Sequence, residues 1–139
     1  MGEGQEYSGY GEHVGTVNVE QRGKLMSEAL AVFTPTWYLG PFEGTHVEAQ
    51  LCGTPVITTP FGVYNDTVED GFNGYRCNDF QEFVNAAKWA KKIDKDHRKI
   101  IRQHAQEMWS MDNVALMYDK YFKRLNNLRD KGWYQEYTA

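Results

Sequence analysis

Along the first half of the chain, short apolar runs alternate with stretches of helical spacing. His13 to Val17 is a strand candidate, and Glu20 to Leu30 repeats Leu25, Met26, Ala29 and Leu30 on one helical face. Ala31-Val32-Phe33-Thr34 is apolar, short and stopped by Pro35, as a buried parallel strand requires. The spacing predicts a helix over Thr45–Leu51, ended by Gly53 at the position that follows a helix C-cap, with Pro55 just beyond. Val56 to Thr59 is a further β-branched strand closed by Pro60. Asn65 to Glu69 is one helical turn, and Gly74 to Cys77 is the last strand candidate.

From Asp79 onward the pattern is helical. Asp79 and Glu82 have capping-box spacing, ahead of an apolar face of Phe80, Phe83, Val84, Ala87 and Ala90, with Trp89 beside it. His97 to Trp109 repeats the pattern through Ile100, Ile101, Ala105 and Met108. A third helix, capped by Ser110 or Asp112, carries Val114, Met117, Tyr118, Tyr121, Phe122, Leu125 and Leu128 on one side, and these are expected to be core. Strands alternating with helices through such short connections imply an α/β fold. The expected fold is a partial Rossmann-like doubly wound parallel sheet of about four strands, with a helical C-terminal tail. Ligands of such sheets sit at the carboxyl ends of the strands, which is where Pro35–Gly44 and Pro60–Tyr64 fall.

Composition narrows the function classes. The chain has 139 residues, 41% hydrophobic and 24% charged, consistent with one globular domain; residues 1–12, rich in glycine, are expected to be flexible. A net charge of -4 speaks against nucleic acid as a partner. No apolar stretch is long enough for a transmembrane span, Met1-Gly2-Glu3-Gly4 lacks a signal-peptide layout, and Glu6 occupies the position where a myristoylation motif wants Ser or Thr. A cytoplasmic location is therefore expected. Cys52 and Cys77 read as reduced core thiols, and no Cys/His cluster has metal-ligand spacing, so neither metal nor cofactor is expected. His46 is expected at the surface or in capping, and His97 and His104 are expected to be solvated. Lys91 to Asp96 reads as a solvated junction.

Two segments carry a family resemblance. "PTWYLGPFEGTHVEAQLCGTPVITTPFG" (35–62) and "DTVEDGFNGYRC" (66–77) are similar to the donor-binding C-terminal domain of retaining glycosyltransferases of the GT-B type, also called group 1 or family 4-like. The resemblance covers residues 13–139, and several fixed offsets coincide. It implies a nucleoside diphosphate sugar as donor, of UDP or GDP type, and no required metal. By it, Glu48 accepts hydrogen bonds from the ribose hydroxyls, a good match of carboxylate to cis-diol. The amides of Gly44, Thr45 and His46 open a helix whose positive end meets the diphosphate. Phe61 and Gly62, with Val63, edge the nucleotide pocket.

Two positions depart from the family pattern. The family's first glutamate, which touches donor-sugar hydroxyls, falls on Gly40, and its loop glycine falls on Glu43. A carboxylate about 4 Å from the diphosphate would cost roughly 4 kcal/mol at an effective dielectric near 20. The exchange implies changed donor specificity or lost catalysis; the other outcome is that Glu43 swings round to replace the missing carboxylate. The catalytic residue is thus left unassigned, with Glu43 the one named option. Arg22 and Lys24 are not assigned to the site.

Relative to the family, residues 1–139 read as a single partial domain lacking the acceptor-binding half. That reading implies a fragment, a subunit pairing with a complementary glycosyltransferase domain, or a vestigial gene, and an isolated chain without activity. The alternative is a non-catalytic association module. Trp133, Tyr134 and Tyr137 would then add to a sticky patch that favours homo-oligomers.

Overall fold

The computed structural model describes residues 11–40 and 42–131, with side chains described as far as Arg129. The expected flexible start lies mostly outside the described residues, as do Trp133, Tyr134 and Tyr137. Two compact units are present, residues 1–103 and 104–139.

The first unit is built on a three-stranded parallel sheet in the order β1-β2-β3. Its elements are α1 (Val19–Glu28), β1 (Val32–Phe33), α2 (Gly44–Leu51), β2 (Val56–Thr58), α3 (Tyr64–Thr67), β3 (Gly74–Arg76), α4 (Phe80–Ala90) and the start of α5 (Lys95–Trp109). Val32 and Phe33 pair with Val56 and Ile57, and Val56, Ile57 and Thr58 pair with Gly74, Tyr75 and Arg76. The α/β parallel architecture is as expected, with three strands among the described residues where about four were expected. His13 to Val17 forms no strand. His13, Val14 and Thr16 are exposed there, so the alternation has no apolar face to bury and no neighbouring strand to pair with.

β2 is buried on both faces, which explains why its residues are β-branched without alternation. Val56 packs with Ala49, Tyr64 and Val68 on one side. Ile57 packs with Cys77, Ala86 and Ala90 on the other. Both cysteines are free thiols, and burial pushes that of Cys77 up to about 11.

Local signals fix the helix ends. Asn18 and Gln21 form a reciprocal capping box that starts α1. Asp79 accepts from the Glu82 amide as expected, but the Glu82 carboxylate reaches the Asn78 amide at 2.7 Å instead of completing the box at Asp79. The buried residues of α4 are Ala86 and Ala90, with Phe83 and Val84 half-buried; Phe80 is 82% exposed and Ala87 is exposed, a correction to the expected face. Gly53 ends α2 with φ +75, and a Cβ there would stand 2.7 Å from the Arg98 carbonyl. The Arg98 guanidinium reaches the carbonyls of Ala29 and Ser27 and the Thr54 hydroxyl, all within 2.8 Å, and so satisfies the C-terminal end of α1.

In the second unit, Ser110 and not Asp112 caps α6 (Met111–Lys131), accepting from the Asn113 amide. Tyr118, Tyr121 and Phe122 are more than half exposed, so the stripe expected in the core faces outward. Tyr118 and Phe122 stack at 6.0 Å along this face. Met108, Trp109, Val114, Met117, Tyr118 and Tyr121 line an apolar groove of about 370 Å³. No helix among the described residues is long and apolar enough to cross a membrane.

Candidate functional site

Two loops follow the carboxyl ends of β1 and β2, and the sequence ties them together through short hydroxyl side chains. The Thr58 hydroxyl donates to the Thr34 carbonyl at 2.8 Å. The Thr59 hydroxyl accepts from the Thr36 amide at 2.9 Å and donates to the Thr36 carbonyl. Backbones meet further out: Gly62 has φ +56, and a Cβ on it would stand 2.6 Å from the Gly40 carbonyl. The loop pair therefore rests on glycine at this crossing.

α2 starts where these loops converge. Glu43 is its N-cap residue by position, yet no side chain caps the helix. Gly44 and Thr45 are exposed, at the positive end of an eight-residue helix. The Glu43 carboxylate goes elsewhere. One oxygen accepts from the Tyr64 hydroxyl at 2.5 Å, and the other lies over Gly40, 3.1 Å from where a Cβ would be. The carboxylate thus turns away from the helix start and makes no bond with it. Burial first, then the accepting Glu43 carboxylate, hold the Tyr64 phenol above its ordinary range, so it stays a protonated donor. Glu43 raises the Tyr38 phenol in the same way.

Glu48, on the second turn of α2, is half-buried and takes Arg22 of α1 at 2.9 Å. Arg22 was not assigned to the site from sequence, because 26 residues separate the pair and helix periodicity does not report contacts between helices. Arg22 occupies one Glu48 oxygen and leaves the second for another donor. Among the sequence-assigned residues, Glu48, Gly44, Thr45 and His46 lie together on α2, whereas Phe61 and Gly62 lie on the neighbouring loop. Phe61 packs its ring against Trp37 at 5.9 Å, and Trp37, Tyr38, Leu39 and Phe42 are all exposed.

His46 corrects an expectation. It is fully buried, between Phe42 at 5.6 Å and Tyr64 at 5.0 Å, and neither ring nitrogen has a well-formed hydrogen bond among the described residues. Burial lowers its pKa; the Glu43 backbone and charge offset this only in part. His97 is also not solvated: its Nε2 lies 2.7 Å from the Phe72 carbonyl. His104 is half-buried.

A depressed His46 pKa has a signed consequence. The unfolded chain takes up a proton near the ordinary histidine value of 6.5, while the folded one does not until lower pH. Stability is then fully present above 6.5 and is lost as pH falls below it, at up to about 1.4 kcal/mol per pH unit for one proton. Urea unfolding between pH 7.5 and 5.5 is expected to show this slope, and His46→Phe to flatten it. An equal slope in the variant would assign the effect to other groups.

A second depression, about 340 Å³, lies beyond β3 and is lined by Asp70, Arg76, Asn78 and Glu82 among others. Arg76 there engages Asp70, and Asn78 engages Glu82. No group of three or more His, Cys, Asp or Glu side chains suited to a metal ion occurs among the described residues.

The family model described as Glycosyl transferases group 1 matches residues 9–108, most of the chain and both loops of the site. Among solved structures, one similar chain is AviGT4, a glycosyltransferase involved in avilamycin A biosynthesis, with a TM-score of 0.61 and 24% identity. The match covers 78% of this chain and 34% of that one, so the chain spans about a third of that protein's length. At this identity the likeness is one of fold. A search of curated proteins finds no match.

Proposed function

We propose that this chain, which belongs to the glycosyl transferases group 1 family, binds a nucleoside diphosphate sugar at the start of α2 for glycosyl transfer. One observation carries the reading: an uncapped helix N-terminus and an oriented carboxylate, Glu48, share one short helix at the carboxyl edge of a parallel sheet. The amides of Gly44, Thr45 and His46 supply donors and the positive helix end for the diphosphate. Glu48 uses the oxygen left by Arg22 to accept from the ribose hydroxyls. Phe61 and Gly62 border the nucleotide on the adjacent loop.

In this reading the chain holds and orients the donor, and transfer proceeds with retention and without a metal requirement. The acceptor side of the cleft comes from a complementary glycosyltransferase domain, on the same polypeptide or another. Calorimetric titration with UDP and GDP tests the donor site. One of the two is expected to bind, and Glu48→Ala is expected to weaken it about tenfold, or about 1.4 kcal/mol. Absence of binding by both nucleotides would overturn the reading.

A second reading, association through α6, is favoured by the outward face of Tyr118, Tyr121 and Phe122. It expects no nucleotide binding, together with sedimentation that depends on protein concentration.

A further inference from the structure

In α6, every residue from 115 to 124 is exposed, so about three turns of the helix have no covered face among the described residues. A lone helix of this length is marginal in water, and helices in proteins gain most of their stability by packing an apolar face. The apolar positions of α6 are regularly placed. Met111, Val114, Tyr118, Tyr121, Leu125 and Leu128 recur at alternating steps of three and four residues along the whole helix. That is the narrow seam of a helix that pairs with one other helix, not the wider stripe of a helix laid on a globular core. Met117 and Phe122 flank the seam, and Phe122 stacks on Tyr118 at 6.0 Å.

Charge identifies the helix that fits. Asp112 and Asp119 lie in the first half of α6, whereas Lys120, Lys123, Arg124 and Arg129 lie in the second. Asp119 pairs with Lys123 within the helix at 2.7 Å, which leaves the contrast between the halves in place. A helix charged in this way complements a reversed copy of itself, acidic half beside basic half, with the two helix dipoles opposed. Two copies running the same way would set Arg124 against the partner's Arg129 on both sides of the seam. Reversed, Met111 faces the partner's Leu128, Val114 the partner's Leu125 and Tyr118 the partner's Tyr121. Arg124 then falls beside the partner's Met117, along which its aliphatic stem can lie. In the association reading, on which this inference rests, we propose that the partner is a second copy of this chain. Its α6 pairs antiparallel with the first about a twofold axis between the two Tyr118–Tyr121 layers.

Sedimentation of the full chain from about 1 to about 100 μM is expected to show a monomer passing to a dimer and nothing larger, since a twofold contact closes on itself. Tyr121→Glu puts a charge in a central layer and is expected to weaken the dimer at least tenfold. Leu116→Glu puts the same charge on the opposite side of α6 and is expected to change affinity less than twofold. Orientation is read by cross-linking. Met111→Cys mixed with Leu128→Cys is expected to give disulfide-linked dimers joined through the two new thiols, at least tenfold more than either variant alone. A chain that stays monomeric over this range overturns the association reading and the proposal together. A dimer that survives Tyr121→Glu, or is lost equally in Leu116→Glu, places the contact elsewhere and does the same. Loss in Tyr121→Glu alone, with Met111→Cys linking to itself, would mean parallel helices. That outcome, like trimers or larger species, overturns the proposal and leaves the association reading standing.

Discussion

Gly74→Ala is expected to lower folding stability by about 3 kcal/mol or more, a large share of what a domain of this size has. Gly74 sits opposite Val56 in the sheet register, and a Cβ there would meet the Val56 carbonyl oxygen at 2.1 Å and its carbon at 3.1 Å. A third neighbour, Val68 Cγ1 at 2.9 Å, closes the other direction. Two of the three atoms are backbone, so no side-chain rotation relieves the overlap. β2 and β3 have to separate, and Val56 then loses its bond to the Asn73 carbonyl. Asn73 belongs to a buried polar network with Gln50 and the Thr67 carbonyl, so the disturbance reaches the underside of α2. Urea unfolding should show a midpoint shifted down with an unchanged slope. A midpoint within about 0.5 kcal/mol of the unaltered chain would mean the strands have slack that this register lacks.

Gly62→Ala is expected to damage stability and ligand binding together. The left-handed backbone costs a non-glycine residue about 1–2 kcal/mol before any contact is counted. The added Cβ would also press on the Gly40 carbonyl at 2.6 Å and its nitrogen at 3.1 Å. Gly40 lies beneath the Glu43 carboxylate, so displacement of its backbone passes to the side chain anchored by Tyr64. The combined loss should reach about 3 kcal/mol in unfolding. If the proposed donor site holds, nucleotide affinity should also fall at least tenfold. Gly15→Ala separates the two contributions: Gly15 has φ +65 but nothing within 4 Å of its Cβ position, so it reports backbone strain alone. Equal losses in the two variants would show that the crossing of the loops contributes nothing.

The strands and helices of the first unit were legible because their signals are local. Proline and glycine bracket β1, α2 and β2 within a few residues, and the β-branched run at Val56 reports burial on both faces. What lay beyond reach depended on partners distant in sequence. His13 to Val17 has the alternation of a strand, but strand formation is decided by a neighbour, and none pairs with it. Gly53 was readable as a helix terminator; the passage of the Arg98 backbone 2.7 Å from its Cβ position was not. In the site, Gly40 and Glu43 were visible as departures from the family pattern, but the direction of the Glu43 side chain depends on Tyr64, 21 residues later. The family resemblance, carried by fixed offsets around Glu48, is borne out by the family match, while roles for individual residues rest on the proposals above. The aromatic stripe of α6 failed as a core assignment because periodicity shows that residues share a face without saying whether anything covers it.

The sheet register also dictates an order of assembly. β2 is the central strand, and both of its pairings join segments separated by roughly 20 residues, each connection carrying a helix. Neither edge strand has a partner until β2 is in place, and the second pairing also needs Arg76 and its neighbours. During synthesis, then, the three-stranded sheet closes only after β3 has left the ribosome. Until that moment α2, whose Glu48 pairs with Arg22 of α1, has no sheet to pack against.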